Sequence, residues 1–281
     1  MINFIKISKI TLLASIFFSL LSLCCIIKYE FNLGIEFTGG LEIEIESHNI
    51  ISINDLRKNL NDFENIKIKY YGSKKIVQLK IKNTNNDIKN TLDIIKTKIS
   101  ENMMITKYDF IGEEINKENI KNTLIAIFIA SISIFIYLTF RFKYKMAISA
   151  IITLFHDIII ILGIISFFSI ELNLIILSSL FTIFGYSIND TVIIFDRIRE
   201  IENKIKKNYD IKEIINLSIN KTLSRTIITS LSTLIVTIIL SILSDEYLFN
   251  FYLILSLGII IGTYSSIYIS ANLLLIINKK K

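Results

Sequence analysis

The sequence predicts an α-helical multi-pass membrane protein. Six transmembrane helices carry a small α+β domain of ferredoxin-like order (βαββαβ) exported between the first and second spans. Three observations predict it. Of 281 residues, 52% are hydrophobic and the mean hydropathy is +0.57, above the roughly 45–50% apolar content of soluble domains. The apolar residues are segregated into runs over 10–27, 120–140, 146–168, 172–195, 226–244 and 248–277, each near the ~20 residues that a bilayer-crossing helix needs. The intervening segment 28–119 is polar and charged. The division is 1–28 for the first transmembrane helix, 29–118 for the exported domain and 119–281 for a five-helix bundle with a cytoplasmic loop at 196–225.

The first run has a short basic start but no small-residue cleavage site behind it, so it reads as an uncleaved span. Its adjacent Cys24 and Cys25 cannot form a standard disulfide with each other and read as packing residues. In the exported domain, 41–46 alternates Leu-Glu-Ile-Glu-Ile-Glu, the pattern of a half-buried strand. Ser52 then caps a helix to about Phe63, with Ile53, Leu56 and Leu60 on one face. Ile66, Ile68 and Tyr70 alternate, Gly72-Ser73 turns the chain, and Ile76 to Ile81 returns as a hairpin arm. Asp87 caps a helix over 88–101, and a last strand covers about 103–111. His48 stands alone as a surface residue. The domain has neither a metal-ligand cluster nor a phosphate loop, and reads as a binding or lever module.

Charge sets the orientation. Lys6 and Lys9 precede the first span, Arg141, Lys143 and Lys145 separate the second from the third, and a Lys/Arg-rich stretch separates the fourth from the fifth. The loops at Glu171 and at Asp245-Glu246 carry no Lys or Arg. The positive-inside rule places both termini in the cytoplasm and 29–118 outside. The net charge of +6, from 31 basic and 25 acidic residues, is thereby explained by topology and anionic lipid, not by nucleic acid.

Ionisable residues inside spans are expensive, about 2.5–3.5 kcal/mol each on insertion scales, and mark function. His156-Asp157 lies near the middle of the third span, either as a packing pair or as a proton-relay element. Asn189-Asp190-Thr191 lies in the cytoplasmic third of the fourth span, and Arg225 opens the fifth from the same side. A carboxylate facing a guanidinium there makes either a static ion pair or a proton-responsive switch. Gly258 and Gly262 form a GxxxG helix-packing motif. With no prolines, bends fall to glycines and polar residues, and Gly163, Gly185, Gly258 and Gly262 are the expected hinges. No nucleophile-base motif, metal-ligand spacing or nucleotide loop occurs, so the expectation is a non-enzyme without metal or cofactor.

These residues carry a resemblance. Leu33 to Gly40, with Phe37, Gly39 and Gly40, resembles the signature that follows the first span in the SecD/SecF membrane proteins of bacterial protein export. His156-Asp157, Gly185 to Thr191 running on to Phe195-Asp196-Arg197-Ile198-Arg199-Glu200, Thr222 to Thr226 and Gly262 to Tyr268 fit the same family in order. The short exported domain favours the SecF side of the family. The resemblance implies an RND-like half-transporter that pairs with SecD as its obligate partner, works with the SecYEG channel on preproteins and draws on the proton-motive force. It implies proton passage at Asp190 and Arg225. The competing readings are half of an RND-type exporter of small molecules or lipids, and a passive scaffold for SecD and SecYEG.

Overall fold

A computed structural model describes residues 2–61, 63, 66–82, 88–100, 102–204 and 210–279. Six of its helices are long and apolar enough to cross a membrane. The first is α1 (Phe4–Tyr29), followed by a single turn, α2 (Ile35–Thr38). The α+β domain then runs β1 (Gly40–Ser47), α3 (Ile53–Asn59), β2 (Ile66–Tyr71), β3 (Ser73–Lys82), α4 (Ile88–Lys98) and β4 (Met103–Ile111). Next come α5 (Glu113–Arg141), α6 (Tyr144–Phe167), α7 (Leu174–Lys204), α8 (Ile211–Leu243) and α9 (Glu246–Ser265). A π-helical turn, Ser266–Ser270, joins α9 to α10 (Ala271–Lys279).

The four strands form one antiparallel sheet in the order β2-β3-β1-β4. Alternation puts Leu41, Ile43 and Ile45 of β1 with Val77, Leu79 and Ile81 of β3 on one buried face, where Leu56, Leu60, Leu92 and Ile95 from the α3 and α4 segments cover them. Ser52 caps α3 through its hydroxyl, which accepts from the Asp55 N–H. The expected cap at Asp87 lies outside the described residues. Gly40 is required where it is. Its φ is +151°, and a side chain there would collide with the Ile81 carbonyl.

Two boundaries differ from the sequence expectation. The 118/119 division falls inside α5, which runs unbroken from Glu113 into its span. The stretch 196–225, expected as a loop, is mostly helix: α7 continues to Lys204 and α8 begins at Ile211. Glu200 pairs with Arg197 and with Lys204, the i,i+3 and i,i+4 spacings that extend a polar helix beyond its apolar run. Asp210 caps α8, its carboxylate accepting from the Lys212 N–H.

The bundle is graded. The helices α6, α7 and α9 bury much of their apolar windows, while α1, α5 and α8 leave most of theirs exposed. None of the expected hinge glycines breaks a helix; each lies within continuous α-helix. The irregular turn falls instead at the serines, where the Ser266 and Ser270 hydroxyls donate to the carbonyls of Thr263 and Ser266. Such hydroxyls compete with the helix's own N–H groups.

Candidate functional site

The packing of α7 against α9 brings the buried polar groups together. Gly258 faces Ile183, and Gly262 faces Ser187, whose Cβ would lie 3.2 Å from a side chain added at Gly262. Without side chains at these two positions the helices approach closely, and two carboxylates of the bundle are enclosed between them and their neighbours.

The first carboxylate is Asp157 on α6, with no exposed surface. Its Oδ2 accepts from the Ser187 and Ser265 hydroxyls, both at 2.7 Å. Its Oδ1 lies 3.0 Å from Nδ1 of His156. The other ring nitrogen of His156 is 2.5 Å from the Ser15 hydroxyl. Four helices, α1, α6, α7 and α9, therefore meet on one hydrogen-bonded set. Three donors on one carboxylate offset the cost of burying it.

The second is Asp190 on α7, also without exposed surface. It has fewer partners. The Ser230 hydroxyl of α8 lies 3.4 Å from Oδ2, and Thr263 of α9 lies 2.7 Å from that same hydroxyl. Among the described residues, Oδ1 has no hydrogen-bond partner, nor has the buried Thr226 hydroxyl on α8. Ser230 accepts from the Thr263 hydroxyl and directs its own single proton to Asp190. The ion pair anticipated between Asp190 and Arg225 is not formed. Arg225 is exposed and lines an open cleft of about 870 Å³ between α7 and α8 with Asn189, Asp196 and Lys221. Asp190 points into the bundle while Asn189, one residue away, is exposed, as neighbours about 100° apart on a helix must be.

The remaining signature residues sit at the two ends of the bundle. Asp196 accepts from Arg141 at 3.1 Å and pairs with Arg199 at 3.2 Å, and Arg197 pairs with Glu200. This clasps α5 to the far end of α7. At the domain end, Phe37 is buried, the Gly34 N–H donates to the Leu172 carbonyl at 2.8 Å, and Asn119 donates to the Glu36 carbonyl. The short α2 thus ties the exit of α1 to the α6–α7 loop and to α5.

Sequence reading missed Ser15 and Ser230. A serine in an apolar run carries little signal by itself; spacing on facing helices becomes visible only once the helices are packed. It also missed the polar face of the sheet. Lys67, Lys80 and Lys82 point toward the bundle, where Lys67 pairs with Glu171 at 2.9 Å and Lys80 with Glu36 at 3.4 Å, and Lys82 donates to Asn32 at 3.0 Å.

Comparison with known proteins places this arrangement. Residues 91–280 match the family described as protein export membrane protein SecD/SecF, C-terminal, and residues 26–49 match the SecD/SecF GG motif. The chain is 35% identical to Protein translocase subunit SecF of Rickettsia prowazekii, over 99% of this chain and 92% of that one. It is also 35% identical to the subunit of the same name from Rickettsia bellii, over 99% and 94%. Among solved structures, SecDF of Thermus thermophilus, a translocon-associated membrane protein, superposes with a TM-score of 0.84 at 28% identity. That match takes in 99% of this chain, which spans 39% of the SecDF chain. SecDF in a super-membrane-facing form matches at a TM-score of 0.73.

Proposed function

Because the chain belongs to the SecD/SecF family of protein export membrane proteins, we propose that it is a SecF-type subunit of a preprotein translocase, non-enzymatic and driven by protons. It is a multi-pass protein of the bacterial inner membrane. In this reading it pairs with SecD, the two together forming what the longer SecDF chain holds in one. It acts beside SecYEG, helping preproteins through after ATP-driven initiation. Both termini face the cytoplasm and 29–118 is periplasmic, as the basic loops favour. The element order of that domain and its β2-β3-β1-β4 sheet support a ferredoxin-like fold.

The observation that carries proton coupling is the Asp190 carboxylate, fully enclosed with one oxygen unpartnered. A buried polar atom left without a partner costs about 1–3 kcal/mol. Protonation removes the buried charge, the larger cost, and deprotonation restores it unless Arg225 swings inward. Movement of the proton therefore favours one helix arrangement over another. Asn189 and Arg225 face the cytoplasmic cleft. His156 and Asp157 form a second hydrogen-bonded station deeper in the bundle. One charge crossing ~100 mV supplies about 2.3 kcal/mol, so a large displacement of the periplasmic domain needs several protons.

The test is Asp190→Asn in cells or proteoliposomes with SecD and SecYEG. The variant should insert normally and lose the uncoupler-sensitive part of secretion. Secretion at the wild-type level, still sensitive to uncoupler, would remove Asp190 from the mechanism and leave a scaffold role.

A further inference from the structure

We infer that a groove at the end of the bundle distal to the sheet holds the headgroup of an anionic phospholipid. The groove, about 630 Å³, runs between α1, α8 and α10. Lys6 and Lys9 of α1 and Lys212 of α8 line it, over an apolar floor that includes Leu12, Leu275 and Ile276. Among the described residues, no carboxylate lines it. Among the described residues, Lys6 and Lys9 make no ion pair. Lys212 has only the half-exposed Asp210, at 3.9 Å. The other large cleft at this end differs in carrying acids: Asp196 and Glu200 pair there with Arg199 and Arg197, beside Lys221 and Arg225.

Charge and depth identify the occupant. Three lysines line one groove against a single acid, Asp210, 3.9 Å from Lys212, so the ligand is an anion. Lys6 and Lys9 immediately precede the apolar run of α1, which sets them at the level of headgroups rather than in bulk water. Ile276 of the floor is exposed, as are Ile10 and Leu13, the chain neighbours of Lys9 and Leu12, apolar surface that acyl chains would cover and a soluble anion would not. Basic pockets between transmembrane helices hold lipid phosphates in this way. The inference rests on reading the six helices as spans, not on proton coupling.

The experiment incorporates the full-length protein into phosphatidylcholine vesicles doped with phosphatidylglycerol, then counts lipids retained after solubilisation by native mass spectrometry. Wild type should retain phosphatidylglycerol in preference to phosphatidylcholine. Lys6→Gln and Lys9→Gln should each lower that preference about fivefold, with K6R/K9R restoring it and Lys221→Gln, outside the groove, leaving it unchanged. Equal retention of the two lipids, insensitivity to K6Q/K9Q, or an equal loss in Lys221→Gln would overturn the proposal. So would displacement of the lipid by millimolar inorganic phosphate, which would mark a soluble-anion site. The lipid ratio is read without any export assay, so its failure and a failure of proton coupling are distinguishable.

Discussion

Lys67 of β2 and Glu171 of the α6–α7 loop form a 2.9 Å ion pair across the boundary between sheet and bundle. Asn32 accepts from the same ammonium at 3.0 Å, and Glu171 has one further buried oxygen without a partner. The pair is one of several polar contacts that seat the domain; the Gly72 N–H also donates to Asp245 at 2.7 Å. Replacing Lys67 with Met strands Glu171, which is only 9% exposed, and should weaken the seat by about 1–3 kcal/mol. Hydrogen exchange along β2 and around Glu171 should quicken together. Exchange confined to one side would mean that the pair does not couple them.

Lys80 gives the seat a pH dependence. Burial pulls its ammonium downward, but the carboxylates of Glu36, Glu42 and Glu171 outweigh burial and raise its pKa above the ordinary 10.5. A folded-state value above the unfolded one means stability that is fully present below pH 10.5 and lost as pH rises through the raised value. The difference in thermal unfolding between wild type and Lys80→Met should therefore be constant across neutral pH and shrink only in strong alkali. Glu42 has the same sign at the acid end. Burial raises it, Lys80 offsets this in part, and its contribution falls as pH climbs from 4.5 through its raised value. A wild-type to Lys80→Met difference that grew with alkali would refute the arrangement.

Asp157 has enough donors that no single one should be decisive. Ser187→Ala or Ser265→Ala removes one of two hydroxyls from the same oxygen and should cost about 1–3 kcal/mol. The double variant leaves that oxygen with no hydroxyl donor and should lose more than the sum, as coupled neighbours do. Thermal unfolding of the four proteins closes the cycle. Strict additivity would show that the two serines do not share Asp157.

Much of the fold is legible in the sequence. The six apolar runs and the alternation at 41–46 and 76–81 are one-dimensional signals, since burial on one face of a strand, or all along a span, leaves its period in the sequence. The partners of Asp190 were not legible. Depth along two helices suggested Arg225, but rotation about the helix axis decides contact, and Arg225 is turned into the cleft while Ser230, five residues on, reaches the carboxylate. Nor was the seat of the sheet. Lys67, Lys80 and Lys82 look like a solvated polar face until the bundle is placed beneath them. The π-helical turn escaped because a run of serines is compatible with a regular helix as well.

Two glycines expected as hinges separate the roles of space and flexibility. A methyl group added at Gly163 would collide with Ser22 of α1, whose Cα would be 2.6 Å away, so α1 must move off α6. A methyl added at Gly185 meets nothing within 4 Å. Alanine is favoured over glycine within a helix by about 1 kcal/mol, and overpacking costs about 1–3 kcal/mol. Gly185→Ala should therefore leave the isolated chain as stable or slightly more so, while Gly163→Ala should destabilise it. The loss should appear as weakened cross-linking between cysteines placed on α1 and α6. If Gly185→Ala then impaired only assembly with a partner, its open face is a contact surface rather than a hinge. If it changed unfolding of the chain alone, backbone flexibility at Gly185 would be the property that matters.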